Sequence, residues 1–411
     1  MAQLNITLNQ DEILQLLSDS RDDAFKTLLQ ESLNSILKAE STEQLGAEPY
    51  ERSESRTDSR NGFRERPLNT RIGTITLKVP RHRDQPFKTL VFDNYKRSEA
   101  ALVAGMAEMV VNGVSSRKVS TVMETLCDTS FSKSTVSEVC KELDSSVNQF
   151  KNRTLEEEYP FVFVDATYFR VRYNHRIVSR AFMVALATSI DGRREVIGFE
   201  VYDNESKETW RQFFESLKDR GLKGLKLITS DAHEGIIYAS GKVFPDVPWQ
   251  RCQTHFSRNI LECAPAKYQK AIHASLLEMY QSHTIEEARK KRDSIIDEYK
   301  DVAEKAMNRL DTGFEDVMTV MVLPENMRRF FRTTNFIERL NKELKRRSKV
   351  IGIFPNEQSL IRLMGSVLIE RNENYSVQEK IHIKPSDMKN LNLIEPELKR
   401  IAMEQQQLHA A

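Results

Sequence analysis

The chain of 411 residues has little cysteine, no long apolar run and almost no net charge. Its four cysteines are too few and too scattered for a disulfide framework, which favours a reducing compartment. Because no run of about 18 apolar residues occurs, we expect no membrane span. The first residues lack a basic start followed by an apolar block, so we expect no secretory signal and a cytoplasmic location.

A net charge of +1 does not by itself indicate a nucleic-acid-binding protein, but the charges are unevenly distributed. Residues 1–59 contain twelve acidic and five basic side chains. Residues 60–97 contain ten basic and three acidic ones, and residues 328–349 contain nine and two. Basic blocks inside a neutral chain are typical of phosphate-binding surfaces, although a solvated surface without a ligand gives the same pattern.

The first hundred residues predict a helical region followed by a basic segment. Apolar residues recur at helical spacing between residues 10 and 45, inside a region that we place at residues 1–59. The polar, arginine-rich stretch 46–67 predicts a linker, or an arm that becomes ordered on DNA. In the basic segment 60–97, TRIGTITLKVPRHR predicts a short β segment, with FKTLVF as a candidate hairpin partner.

Residues 98–150 predict a DNA-binding domain. Two short amphipathic helices, in GVSSRKVSTVMETLC and SKSTVSEVCKELD, are separated by a short break, a pattern typical of a helix-turn-helix. An ordinary helical hairpin has the same pattern and stays open as an alternative. The second helix presents side chains that can contact phosphates and base edges, namely Lys133, Ser134, Thr135, Ser137 and Lys141.

The rest of the chain predicts a mixed α/β domain that is interrupted by helices. Residues 158–256 contain three strands, a helix, a strand, a helix and a strand, the order expected of a ribonuclease-H-like core. Residues 257–331 predict an all-helical insertion, and residues 332–375 the second part of the core. Residues 376–411 predict a helical tail whose last stretch we expect to be loose. The fold class is therefore multidomain, α/β plus α.

Two aspartates follow strongly apolar segments of the α/β domain. Asp165 and Asp231 each stand where a strand is predicted to end, and ligand sites form at such positions. Two divalent cations, Mg²⁺ or Mn²⁺, relieve the repulsion between such carboxylates and support phosphodiester cleavage. Glu338, early on a basic helix, is the natural third ligand, although each carboxylate also suits a cap or an ion pair. Its rivals for the third place are Glu234, Glu325 and Glu343.

Other side chains are candidates for the surroundings of this site. Cys252 and His255 resemble half of a zinc site, but no second close pair of cysteines or histidines follows. We therefore expect Cys252 to be buried in the core and His255 to position DNA or a ligand. Tyr168 and Arg170 are expected to flank Asp165, and Asn341 is counted as a further neighbour. The helix of Glu338 carries basic residues expected to hold DNA phosphates, namely Arg339, Lys342, Lys345, Arg346 and Arg347.

Four segments resemble, in order, the bacterial Mutator-type transposases of insertion sequences: VDATYFRVR, TWRQFFESLKDRGLKGLKLITSDAHEGI, WQRCQTHFSRN and RTTNFIERLNKELKRRSKVIGIFPN. The resemblance implies a ribonuclease-H-like catalytic domain whose Asp-Asp-Glu triad falls on Asp165, Asp231 and Glu338, with the helical insertion before the glutamate. It further implies action on the terminal inverted repeats of an element. Near ERNENYSVQ the family often has Trp, whereas this chain has Tyr375.

The predicted partners are double-stranded DNA, as inverted repeats and target, and a second copy of the chain, since two ends must be brought together. Two alternatives remain open. A junction-resolving nuclease on the same fold would share the carboxylates but would cut branched DNA without joining strands. A domesticated repressor would bind DNA without cutting it.

Overall fold

The computed structural model describes residues 21–51, 56–70, 73–89, 100–127, 131–377 and 383–410. The chain divides into two compact units, and the boundary in the sequence falls between Glu142 and Leu143. Within the described ranges, no helix is both long and apolar enough to cross a membrane.

The first unit combines helices with a two-stranded sheet. Its elements are α1 (Arg21–Leu45), β1 (Arg60–Thr70), β2 (Gly73–His82), α2 (Ala100–Val111), α3 (Ser116–Cys127) and α4 (Lys133–Lys141). β1 and β2 pair antiparallel, and α1 packs against their hairpin. The apolar contacts between helix and hairpin come from Leu37, Leu68, Ile75, Leu77 and Val79.

The hairpin corrects two expectations about the basic segment. The stretch 46–67 is not a linker throughout, because strand β1 begins at Arg60. Strand β2 pairs with β1, and the described part of FKTLVF, residues 87–89, forms no strand. A strand alternates its side chains, so β1 can expose its charged residues while Leu68 faces α1. Residues 10–20 and 90–97 lie outside the described residues, so the predictions there stay predictions.

The two helices predicted between residues 98 and 145 are present as α3 and α4. Together with α2 they enclose a small apolar cluster that includes Met106, Val119 and Val136. The side chain of Ser132 caps α4 by accepting a hydrogen bond from the Thr135 amide at 3.1 Å. The predicted contact residues Lys133, Ser134, Ser137 and Lys141 are exposed, and Thr135 is half-buried. Residues 128–130, in the predicted turn, are outside the described ranges.

The second unit contains a five-stranded sheet. It begins with α5 (Leu143–Asn152), β3 (Phe161–Tyr173), β4 (Arg176–Thr188), β5 (Arg194–Tyr202), α6 (Lys207–Asp219), β6 (Leu227–Ser230), α7 (Glu234–Val243) and β7 (Trp249–Arg251). The strand order is β5-β4-β3-β6-β7. β4 is antiparallel to both β3 and β5, whereas β6 runs parallel to β3 and to β7. The predicted order of three strands, helix, strand, helix, strand is therefore confirmed.

Helix α6 shows why this part of the sequence folds predictably. Its buried residues recur at helical spacing, and each contributes roughly 1.5–3 kcal/mol when removed from water. They are Trp210, Phe213, Phe214 and Leu217, and they pack with α7 on one face of the sheet. Ser206 and Thr209 form a capping box at the start of the helix. Gly221, with φ of 101°, follows its end in a conformation that glycine adopts without strain.

Helix α5 belongs to the second unit, although the predicted DNA-binding domain extended to residue 150. It packs against β5 and the long helix α14 (Glu357–Val377). Arg362 of α14 donates two hydrogen bonds of 2.7 Å to Asp144 of α5. The helical pattern runs from α4 into α5 with little interruption, so the sequence gives no sign of a boundary there.

Between β7 and α13, the chain forms only helices. They are α8 (Gln253–Leu261), α9 (Ala266–Tyr280), α10 (Ile285–Tyr299), α11 (Glu304–Met318), a 3₁₀ turn (Thr319–Val322) and α12 (Glu325–Phe331). Helices α8 to α11 share an apolar core of their own. The insertion is therefore helical as predicted, and the chain returns to the sheet through α13 (Asn335–Ser348) and α14.

The tail is helical as predicted, but its end is not loose. It contains α15 (Pro385–Lys389), a 3₁₀ turn (Asn390–Ile394) and α16 (Glu395–Ala410). Gln405 of α16 is buried, and its side chain pairs with the backbone of Trp249 through bonds of 2.7 and 2.8 Å. The amide of Gln405 thus completes hydrogen bonds at the edge strand β7, which anchors α16 to the sheet.

Candidate active site

Asp165 lies in the middle of strand β3 rather than at its end. The apolar run stops at this residue, but β3 continues to Tyr173 as one arm of a long hairpin with β4. The parallel pairing of β3 with β6 does end nearby, at Phe163 opposite Thr229. Asp165 therefore lies beside the end of its neighbour β6. Ligand sites in sheets commonly form at such strand ends.

Asp231 directly follows β6, as predicted. The register that pairs Phe163 with Thr229, continued by two residues, brings Asp165 level with Asp231 on adjacent strands. Neighbouring strands are about 4.8 Å apart, so two carboxylates at this level repel each other strongly. The pairing of β6 with β7 also brings Asp231 close to Cys252, whose amide donates to the Ser230 carbonyl at 2.8 Å.

Helix α13 carries Glu338 in its first turn and Asn341 one turn later. Residues at this spacing share one face of a helix. The Asn341 side-chain nitrogen donates a hydrogen bond of 2.8 Å to Asp165. The Thr334 hydroxyl donates one of 3.0 Å to Glu338. The bond to Asp165 ties α13 to β3, and it therefore places the helix of Glu338 beside the aspartates.

The pKa of Asp165 is raised to about 7. Burial is the main cause, and the negative charge of Asp231 adds to it. Hydrogen bonds from Asn341 and from the Ala166 amide favour the ionised form, but they do not offset the effects of burial and of Asp231 on the pKa. The sheet thus holds a carboxylate whose charge is poorly compensated by the groups around it.

A cysteine and a histidine lie close to Glu338. The His255 ring nitrogen is 3.7 Å from the Glu338 carboxylate, and Cys252 is fully buried. Burial raises the pKa of the Cys252 thiol, but hydrogen bonds from His255 and Thr334 outweigh it and lower the pKa. The hydrogen bond with Cys252 raises the pKa of His255, and the charges of Glu338 and Asp231 add to this.

The donor atoms of Cys252, His255 and Glu338 all lie within 4.8 Å of one another. Among the described residues, Cys252, His255 and Glu338 form a group whose donor atoms are close enough to share an ion. Asp165 and Asp231 do not belong to this group. Thiolate and imidazole ligands are those that zinc prefers, whereas Mg²⁺ takes oxygen ligands. The sulfur of Cys252 already accepts bonds from the Thr334 amide and hydroxyl, which matches the buried cysteine that we expected.

The oxygen ligands that a magnesium ion requires lie on the aspartate side. Asp165 and Asp231 supply opposing carboxylates whose repulsion a cation relieves. The side-chain oxygen of Asn341 is buried beside them and has no hydrogen-bond partner. A buried acceptor without a partner is costly unless it meets a cation or water. These residues fit a hard divalent cation.

The two residues predicted to flank Asp165 lie on the opposite face of the sheet, whereas one unpredicted residue lies close enough to affect its charge. Alternation along β3 turns Tyr168 and Arg170 to the sheet face opposite Asp165, and both are exposed. The Tyr168 hydroxyl accepts a hydrogen bond from the Glu205 amide at 3.3 Å. Burial raises the pKa of the Glu205 carboxyl, and its charge also reaches Asp165. No sequence signal distinguished this glutamate from other acidic residues in loops.

The basic face of α13 is smaller than predicted. Arg339, Lys342 and Lys345 are exposed, and Arg346 is exposed but pairs with Glu343. Arg347 has a side chain that is only 4% exposed and cannot reach DNA. It donates to Glu343 and to Glu370 of α14 at 2.8 and 3.1 Å. Helical periodicity turns it inward, and the prediction for Arg347 is wrong.

Comparison with known proteins identifies the family of this chain. A family model described as "Transposase, Mutator family" matches residues 1–378. The chain is 42% identical over 387 residues to the transposase for insertion sequence element IS256 in transposon Tn4001 of Staphylococcus aureus, covering 93% of this chain and 99% of that protein. It is 37% identical over 356 residues to the transposase for insertion sequence element ISRM5 of Rhizobium meliloti, covering 87% and 89%. The chain therefore belongs to the Mutator family of transposases.

Proposed function

We propose that this transposase binds the terminal inverted repeats of its insertion sequence and cuts and joins DNA with Asp165, Asp231 and Glu338. The observation that carries the proposal is the hydrogen bond from Asn341 to Asp165, because it joins the helix of Glu338 to the strand of the first aspartate. The strand order and the helical insertion before α13 support a ribonuclease-H-like core.

The three carboxylates have different tasks in this proposal. Two divalent cations, Mg²⁺ or Mn²⁺, activate the attacking oxygen and stabilise the leaving oxygen when they are bound. Asp165 would serve as a ligand for both ions, and Asp231 and Glu338 would each hold one. Thr334 and His255 orient Glu338 through its carboxylate. Asn341 keeps Asp165 turned towards α13.

The exposed residues of two helices bind the DNA. In the first unit, α3 and α4 form a helix-turn-helix, and the outward side chains of α4, including Lys133 and Ser137, read the end sequence. In the second unit, Arg339, Lys342 and Lys345 of α13 contact phosphates close to the cleavage site. Because two ends have to be cut and joined together, the working unit is a homodimer.

The test is cleavage and joining of DNA that carries the element's own ends, in Mg²⁺. We expect Asp165→Asn, Asp231→Asn and Glu338→Gln each to lower the rate about a hundredfold or more while end binding persists. Glu234→Gln is the matched control, since Glu234 is an exposed acid at the start of α7, 3.9 Å from Lys207, and its replacement should leave the rate unchanged. Full activity in any of the three variants removes that residue from the mechanism.

The same assay separates the alternatives. Cutting of branched junctions without strand joining would favour a junction-resolving nuclease. End binding without any cutting by the parent protein would favour a repressor. A Lys133→Ala/Ser137→Ala variant should lose preference for end DNA over unrelated DNA, whereas Thr121→Ala, on the exposed face of α3, should retain it.

A further inference from the structure

A cavity of about 440 Å³ opens in the helical insertion beside the candidate active site. Its walls come from α8, α9 and the turn before α13. They include Gln253 and Thr254, which lie between the cysteine and the histidine of the site, and Arg332 and Thr333, which precede the first residue of α13. The backbone amide of Gln253 donates to the backbone carbonyl of Arg332 at 3.0 Å. This bond joins α8 to the turn before α13. The cavity therefore shares a wall with the group around Glu338.

The lining combines an apolar surface with positive charge. Leu277 lines the cavity and is 45% exposed, and the buried Tyr280 lies one helical turn further on. Two arginines, Arg258 and Arg332, line the cavity. Among the residues that the structure describes, neither arginine has an ion-pair partner. Glu262 is the acidic residue of the lining. Unpaired guanidinium groups beside an apolar floor suit a ligand that is both flat and anionic.

Polar side chains complete the lining. The Gln269 side-chain nitrogen donates to the carbonyls of Leu261, at the end of α8, and Ala264, in the following turn, at 3.0 and 3.1 Å, which fixes the orientation of that side chain. His273 and Gln281 are exposed at the rim and offer further donors and acceptors. The volume falls in the range of roughly 300–1,000 Å³ that is usual for small-molecule sites. The cavity can therefore hold a heterocyclic base and recognise its polar edge.

We propose that the cavity receives one unstacked nucleotide of the DNA substrate, adjacent to the phosphate that is cut. This rests on the proposed function, which brings DNA to the shared wall. The base contacts Leu277 and Tyr280, and the phosphate of the same nucleotide lies between Arg258 and Arg332. Contacts with the floor replace the stacking that the base loses when it leaves the duplex. Withdrawal of this nucleotide gives the site access to the neighbouring backbone.

The test places the fluorescent base 2-aminopurine at successive positions around the cleavage point of end-bearing duplexes. The full chain with Asp165→Asn is used in metal-free buffer, so that binding is observed without cutting. Anisotropy of a distant dye reports binding separately. We expect a several-fold rise in 2-aminopurine emission at one position, because unstacking relieves its quenching.

Matched variants assign that rise to the cavity. Leu277→Trp fills the floor and should abolish the rise, whereas Val302→Trp adds the same side chain at a residue of similar exposure elsewhere in the insertion and should preserve it. Arg258→Gln should weaken the rise at least several-fold, and Lys305→Gln, which removes one charge from an exposed position of α11, should not. Thermal unfolding checks that each variant is folded.

The outcomes distinguish the two proposals. Binding of end DNA without a rise at any position, or a rise that survives Leu277→Trp, overturns the cavity proposal and leaves the proposed function standing. Failure of the chain to bind end DNA overturns the proposed function and this inference with it. A rise at one position that depends on Leu277 and Arg258 supports both.

Discussion

Replacement of Asp165 by asparagine should stabilise the metal-free protein at alkaline pH even though it removes activity. The pKa of Asp165 is about 7 in the fold, against an ordinary value of 3.8. The folded state therefore binds more protons than the unfolded state between these values. The free energy of unfolding must fall as the pH rises through this window, by up to about 4 kcal/mol for a shift of about 3 pKa units.

Asparagine cannot ionise, so with Asp165→Asn the free energy of unfolding should no longer fall as the pH rises. It also gives up one hydrogen bond, because its amide nitrogen cannot accept from Asn341 or from the Ala166 amide, at a cost of about 1 kcal/mol. We expect the variant to be about 3 kcal/mol more stable than the parent at about pH 8, and about 1 kcal/mol less stable at about pH 4.

Chemical denaturation in EDTA at several pH values measures this difference. Asp191→Asn, in the exposed turn between β4 and β5, is the control and should change stability little at any pH. Added Mg²⁺ should stabilise the parent more at alkaline pH than at acid pH, since the cation replaces the missing proton. A difference between variant and parent that is the same at all pH values would refute the reasoning.

Three further predictions concern the surroundings of the site. Arg347→Ala should cost about 3 kcal/mol of unfolding free energy, because it removes a buried guanidinium that pairs with both Glu343 and Glu370, while Arg346→Ala should cost less than about 1 kcal/mol; denaturation curves compare the two. Cys252→Ala should cost about 1–3 kcal/mol, since the buried amide of Thr334 loses its acceptor, and Cys252→Ser should recover part of this in the same assay. Asn341→Ala should raise the Mg²⁺ concentration for half-maximal cleavage about 10–100-fold, which a metal titration measures; an unchanged titration would exclude Asn341 from cation binding.

Local patterns in the sequence predicted the secondary structure well where a helix or strand buries one face in a single hydrophobic core. Helix α6 is the best case, since its four buried residues and both of its ends are visible in the sequence. The order of strands and helices around the sheet followed from similar patterns. The position of Asp231 after an apolar strand was also predictable, because β6 is short and buried throughout.

The candidate triad needed more than local pattern. Spacing alone left Glu338 with three rivals, and only the resemblance to a family selected it. The structure adds the reason that α13 can serve the site, namely the bond between Asn341 and Asp165 across 176 residues of sequence. Glu205 was not predicted, because its closeness to both aspartates depends on where the β5–α6 loop lies.

By itself the sequence determined which segments form helices and strands, and which acids follow apolar runs, because these depend on neighbours a few residues away. Only the tertiary structure decided that β3 continues past Asp165, that α5 joins the second unit, that Arg347 is buried and that Gln405 anchors the tail. Each of these depends on a partner that is distant in sequence, and the local pattern is the same whether that partner is present or absent.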